Sequence, residues 1–124
     1  MPKKHKILFI DDNPLDRTLI SSLLTKRNFD VSLAEDGAVG LKMAQEEKPD
    51  LILLDILLPH ISGIELCKKL KKIPATQKIP VIFYTSIDTP KHLIDYASYG
   101  AQDYIQKSTP PSELVAAINT ILGV

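Results

Sequence analysis

Six residues in this chain have types and positions that could do chemistry: Asp11 and Asp12 in FIDDN, Asp55 in LILLDILLP, Thr85 and Ser86 in FYTS, and Lys107 in YIQK. Carboxylates gathered in one place repel unless a cation lies between them. Ligands that are all oxygen select a hard ion such as Mg²⁺. A single lysine opposite such a group suits a phosphate, whose charge the metal and the amine would divide. A carboxylate in that setting can also be the nucleophile and form an aspartyl phosphate. Asp55 is the best candidate, because it follows four apolar residues and precedes Ile56, Leu57 and Leu58, and aspartate is rarely buried without a partner. Taken alone, Asp11 and Asp12 read as a solvated turn ahead of a capped helix, Thr85 as a strand-end hydroxyl and Lys107 as a surface charge. Their joint occurrence points to a site.

What would bring them together is an alternation of strands and helices. Short apolar runs recur at Ile7–Ile10, Val31–Ala34, Leu51–Leu54, Val81–Tyr84 and Tyr104–Ile105. Runs such as LILL and PVIFY are apolar without alternation, so both of their faces are covered. The segments between have helical spacing. Asn13 is a good N-cap, Pro14 suits a first helical turn, and Leu15, Leu19 and Leu23, then Ile20 and Leu24, form one apolar stripe. Thr89-Pro90 opens a helix carrying Leu93, Ile94 and Ala97 that Gly100 ends. Thr109-Pro110 opens the last, with Leu114, Val115, Ile118, Ile121 and Leu122. Strand and helix repeated five times imply an α/β fold, an open parallel sheet with helices on both sides. Ligand sites in such sheets lie beyond the C-terminal strand ends, at the switch in strand order. The six residues fall at those ends, and neighbouring strands are only about 4.8 Å apart.

Composition narrows the function classes. With 124 residues, 44% hydrophobic and 24% charged, the chain suits one globular domain with a single sizeable core. Fifteen acids balance fifteen bases, so no bulk field draws in nucleic acid or an anionic membrane. One cysteine supports neither a disulfide framework nor a cysteine zinc site. No apolar run approaches a membrane span, and ILFI is too short for a signal-peptide core. A cytoplasmic domain is expected. The five glycines form neither a G-x-G-x-x-G nor a P-loop pattern, and there is no G-x-S-x-G elbow.

The ordered set FIDDN, LILLDILLPHISG, YTS and YGAQDYIQK, followed by a final helix, resembles the receiver domain of two-component response regulators, over the whole chain. The resemblance implies a flavodoxin-like doubly wound sheet of order 2-1-3-4-5 with five helices, as a single receiver domain over residues 1–124 without an output domain. It implies Asp55 as the acceptor of a phosphoryl group from a phosphohistidine on a sensor histidine kinase or a histidine phosphotransfer protein. Mg²⁺ would be held by Asp12 directly, by Asp11 through water, by Asp55 and by the main-chain carbonyl of Leu57. Lys107 would pair with the phosphoryl oxygens, Thr85 would be the switch hydroxyl, and Tyr104 the aromatic that changes rotamer with it. The face formed by the fourth helix, fifth strand and last helix would bind partners, a phosphorylation-dependent homodimer among them. Tyr96 and Tyr99, late in that fourth helix, are either core residues or an exposed aromatic patch suited to such a contact.

Two departures from the family pattern carry expectations. Ser108 stands where most members have a proline in a cis peptide, which leaves the geometry of the Lys107–Ser108 bond open. Leu57 and Ile87, two residues beyond the phosphoacceptor and the switch threonine, are bulky and apolar, and shielding by them predicts a long-lived phosphoryl state. Two other functions compete. One is a receiver-like contact module that no longer takes phosphate. The other is an aspartyl-nucleophile phosphatase of the haloacid-dehalogenase type, which needs a second acid where this chain has Leu57. Cys67 reads as a core residue, His60 as a solvent-facing loop residue, and the lysines of CKKLKK as a solvated helix face.

Overall fold

The computed structural model describes residues 4–124. Its elements follow the expected alternation: β1 (Lys6–Ile10), α1 (Pro14–Lys26), β2 (Asp30–Ala34), α2 (Gly37–Glu47), β3 (Leu51–Leu54), α3 (Gly63–Lys72), β4 (Val81–Thr85), β5 (Asp103–Gln106) and α4 (Pro111–Leu122). The five strands form one sheet of order β2-β1-β3-β4-β5, parallel at every pairing. The register sets Ile10 beside both Ala34 and Leu54, and Thr85 beside Gln106. The three central strands therefore end close to one another along one rim.

Strand residues divide between two cores because successive side chains leave opposite faces. Leu8, Ile10, Ile52, Leu54, Val81 and Phe83 pack with Ala44 of α2 and with Leu66, Cys67 and Leu70 of α3. Ile7, Phe9, Leu51, Leu53, Ile82 and Tyr84 pack with Ile20 and Leu24 of α1 and with Leu114, Val115 and Ile118 of α4. Three helix starts are capped by side chains, the first by Asn13 as expected. The Asn13 side chain accepts from the amides of Leu15 and Asp16 at 2.9 and 3.3 Å, with Pro14 in the first turn. Asp36 accepts from the Val39 amide, and Ser62 from the Glu65 amide. These bonds satisfy amides with no partner inside the helix.

The structure corrects the sequence reading in three places. The helix expected over Thr89 to Gly100 is absent, leaving four α-helices among the described residues, not five. Only a short 3₁₀ turn, Lys91–Leu93, forms there, and Ile94 is extended (φ −105°, ψ 121°). The segment keeps helical spacing but lacks helix formers: Ile94, Tyr96 and Tyr99 lose side-chain freedom in a helix, while Asp95 and Ser98 compete for the backbone. The Ser98 hydroxyl donates to the Asp95 carbonyl at 3.0 Å. Leu93 is 66% exposed, so little burial offsets the cost of nucleation. Gly100, at φ +98°, closes a turn in which its amide donates to the Ala97 carbonyl. Second, the α1 stripe divides: Ile20 and Leu24 are buried, whereas Leu15 and Leu19 are 68% and 62% exposed. Third, α4 begins at Pro111 with Pro110 at the cap position and no side-chain cap, so Thr109 does not cap it.

Candidate functional site

The backbone delivers the acids to the rim. The Asp11 amide donates to the Ala34 carbonyl at 3.0 Å and the Asp55 amide to the Ile10 carbonyl at 3.1 Å, which carries the strand ladders one residue past β1 and β3. Asp11 is fully buried and Asp55 is 3% exposed, while Asp12 faces solvent. Behind Asp55, α3 starts so close to the chain that a Cβ on Gly63 would meet the Asp55 carbonyl oxygen and the Ile56 Cα. Only glycine permits that approach. The Gly63 amide donates to the Ile56 carbonyl at 2.9 Å, holding this turn against the strand end.

Lys107 joins the acids. Its amide donates to the Thr85 carbonyl at 2.8 Å, extending the β4–β5 ladder, and its side chain turns inward, 14% exposed. The ammonium lies 3.1 Å from Asp55 Oδ2, 2.6 Å from Asp11 Oδ2 and 2.7 Å from Asp16 Oδ2. The contacts with Asp55 and Asp16 have hydrogen-bond geometry. The one with Asp11 Oδ2 is an ion pair only, and that buried oxygen has no hydrogen bond of its own. Asp11 Oδ1 accepts from the Asn13 amide at 2.8 Å, and Asp55 Oδ1 from the Leu57 amide at 3.1 Å.

Charge and burial oppose each other here. Burial raises the Asp11 carboxyl above its ordinary pKa, more than Lys107 and the Asn13 amide lower it. Burial also works against the charge on Lys107, but the close contacts with Asp11 and Asp16 and the charge of Asp55 outweigh it and raise its pKa. Asp11, Asp12 and Asp55 each place one carboxylate oxygen within 4.8 Å of the others. A buried carboxylate oxygen without a hydrogen bond, in an all-oxygen set of this size, fits a hard divalent cation.

Thr85 and Tyr104 lie on the adjacent strands and meet at one loop. Thr85 is fully buried, and its Oγ1 accepts from the Ile87 amide at 3.3 Å. The buried Tyr104 hydroxyl donates to the carbonyls of Ile87 and Thr89, both at 3.2 Å. Gln106 Nε2 donates to the same two carbonyls at 3.1 and 3.2 Å. Ser86 is exposed, away from these contacts.

Two residues of the site escaped the sequence reading. Asp16 is an acid in a first helical turn, where the helix dipole favours it in any protein; only its distance from Lys107 marks it. Gln106 is a polar residue of the edge strand β5, with no sequence signal of its own. Leu57 is 53% exposed, and Ile87 packs against the core under α2 and α3. Tyr96 and Tyr99 meet neither of their two readings. Both are half-buried against that core, with the ammonium groups of Lys91 and Lys68 at 5.7 and 5.2 Å from their rings. No peptide bond among the described residues is cis, so Lys107–Ser108 is trans. His60 is exposed and Cys67 buried, as expected.

Comparison with known proteins agrees with this geometry. The family model described as response regulator receiver domain matches residues 7–119. The chain is similar to the protein PilH of Pseudomonas aeruginosa, 34% identical over 118 residues that cover 95% of this chain and 98% of PilH. It is 40% identical to the alkaline phosphatase synthesis transcriptional regulatory protein PhoP of Bacillus subtilis, over 94% of this chain but 48% of PhoP. The chain thus spans about half the length of that relative. Among solved structures, the beryllofluoride-activated N-terminal receiver domain of RstA from Klebsiella pneumoniae superposes with a TM-score of 0.87 at 38% identity, covering 95% of this chain and 98% of that one.

Proposed function

This chain belongs to the response regulator receiver domain family, and from that premise we propose that it takes a phosphoryl group onto Asp55 and signals through the loop that follows β4. The observation that carries the reading is the set of contacts on Lys107, which draws Asp11, Asp16 and Asp55 around one ammonium. The donor would be a phosphohistidine of a sensor histidine kinase or phosphotransfer protein.

In the transfer, an Asp55 carboxylate oxygen attacks phosphorus. The phosphorus–nitrogen bond to the donor imidazole breaks, and its electron pair stays on that nitrogen. The Leu57 amide and Lys107, each on one Asp55 oxygen, hold the carboxylate in place, which removes much of the orientational cost of the step. Asp11, Asp12, Asp55 and the Leu57 carbonyl would hold Mg²⁺, and the chemistry that ion would supply is neutralisation of charge on the phosphoryl oxygens. Lys107 donates to a phosphoryl oxygen once formed. Thr85 leaves the Ile87 amide to donate to another, and Tyr104 and Gln106, which grip Ile87 and Thr89, transmit the shift to the segment up to Gly100. That segment, with the half-buried Tyr96 and Tyr99 and the exposed Leu93, is the output face for a partner or a second copy. A cytoplasmic location agrees with this role; among the described residues no helix is long and apolar enough to cross a membrane.

The test is a titration with beryllofluoride, an acyl-phosphate mimic, followed by amide NMR. Shifts that need both Mg²⁺ and Asp55, and that spread from Thr85 to Tyr104 and the 87–100 segment, are expected. A wild type that ignores the ligand, or an Asp55→Asn variant that responds like it, overturns the reading.

A further inference from the structure

An ammonium has three protons, and each of the three carboxylates around Lys107 offers it an oxygen. A phosphoryl oxygen must compete with these carboxylates for the ammonium. Asp11 is fully buried and the Asp55 side chain is 4% exposed, whereas the Asp16 side chain is 28% exposed. Asp16 is thus the partner that water can solvate on release. It also stands apart from the three carboxylates suited to a cation, Asp11, Asp12 and Asp55, so an ion bound there would engage its neighbours and leave Asp16 on Lys107. Its backbone is fixed, since its amide donates to the Asn13 cap in the first turn of α1. Asp11 Oδ2 meets the ammonium as an ion pair without a hydrogen bond, so the directed bonds of Lys107 go to Asp16 and Asp55.

We propose that Asp16 is a positioning residue that competes with the phosphoryl group for Lys107 and so restrains phosphorylation of Asp55. The inference rests on the reading of Asp55 as phosphoacceptor. Asp16 acts in two ways. It occupies a donor that the phosphoryl group needs, and it sets a fixed negative charge beside the place where a doubly charged group must form. An unrestrained Lys107 would be drawn wholly to the phosphoryl oxygens; with Asp16 present, that attraction is shared.

The experiment is a beryllofluoride titration at saturating Mg²⁺ on the wild type, Asp16→Asn, Asp16→Ala and Asp16→Glu, with the Mg²⁺ dissociation constant and thermal midpoint of each variant measured separately. Asp16→Asn and Asp16→Ala are expected to bind the mimic roughly two- to five-fold more tightly, the scale of a partly exposed ion pair, and to be phosphorylated faster by acetyl phosphate in the same ratio. Asp16→Glu, which keeps the charge, is expected to stay near the wild type. Raising the ionic strength should narrow the gap. If Asp16→Asn binds the mimic no more tightly than a wild type that does bind it, the proposal fails alone, and a lowered midpoint would then mark Asp16 as structural. Asp16→Glu binding as tightly as Asp16→Asn also overturns it. A wild type that binds no mimic overturns it together with the phosphoacceptor reading.

Discussion

Asp11 shows what the site demands of single residues. A fully buried carboxylate whose pKa is raised by burial weakens the metal-free fold when charged. The folded state then holds its proton more tightly than the unfolded chain, so the stability linked to Asp11 is present below the unfolded pKa and is lost as pH rises through the folded one. Asp11→Asn should therefore stabilise the metal-free protein near neutral pH, by about 1–3 kcal/mol, and abolish the extra stability that Mg²⁺ confers. Chemical denaturation with and without Mg²⁺ checks both halves, and a destabilised Asp11→Asn would contradict the first. Cys67 makes a contrasting case. Burial pushes its thiol up to about 11, so it should resist a thiol reagent at pH 8 until the protein unfolds. Asp55 and Lys107 were legible in the sequence because residue type and strand-end position coincide. Asp16 was not, because an acid in a first helical turn is unremarkable until a distance is known.

At the scale of elements, the strands were legible and one helix was not, for a common reason. An unbroken apolar run such as LILL has no solvent face to offer, so burial on both sides decides its state. The segment from Thr89 to Gly100 has the spacing of a helix in Leu93, Ile94 and Ala97, yet spacing alone does not stabilise a turn. Its aromatic, β-branched and short polar residues oppose a helix, and the exposed Leu93 adds little burial. Hydrogen exchange should report this difference. Amides from His92 to Ser98 are expected to exchange far faster than those of Ile20 to Leu24 in α1, where a buried stripe holds the helix. Equal protection would show a stable fourth helix in solution. Leu57 lies in the loop after β3 and Ile87 in the loop after β4. If they shield the acyl phosphate as proposed, replacing both with alanine should shorten its lifetime, measured by loss of radiolabelled phosphate, and an unchanged lifetime would discard the idea.

For the whole molecule, the site is where separate parts of the chain are tied together. Asp11 follows β1, Asp55 follows β3 and Lys107 follows β5, and the sheet that aligns them rests on two cores, one on each face. The pattern of apolar runs implied such a sheet, but strand order came only with the family resemblance, since periodicity does not say which strands pair. A ligand that binds only when these ends are in register must stabilise the entire fold by mass action, by about 2.7 kcal/mol at a hundred times its dissociation constant. Mg²⁺ with beryllofluoride should accordingly raise the thermal midpoint of the wild type by several degrees, and more than Mg²⁺ alone. In Asp55→Asn the additional rise from beryllofluoride should vanish, because the mimic has lost the carboxylate it must join. A rise that survives in Asp55→Asn would place the bound anion elsewhere on the molecule and detach the stability of the fold from the chemistry proposed for its rim.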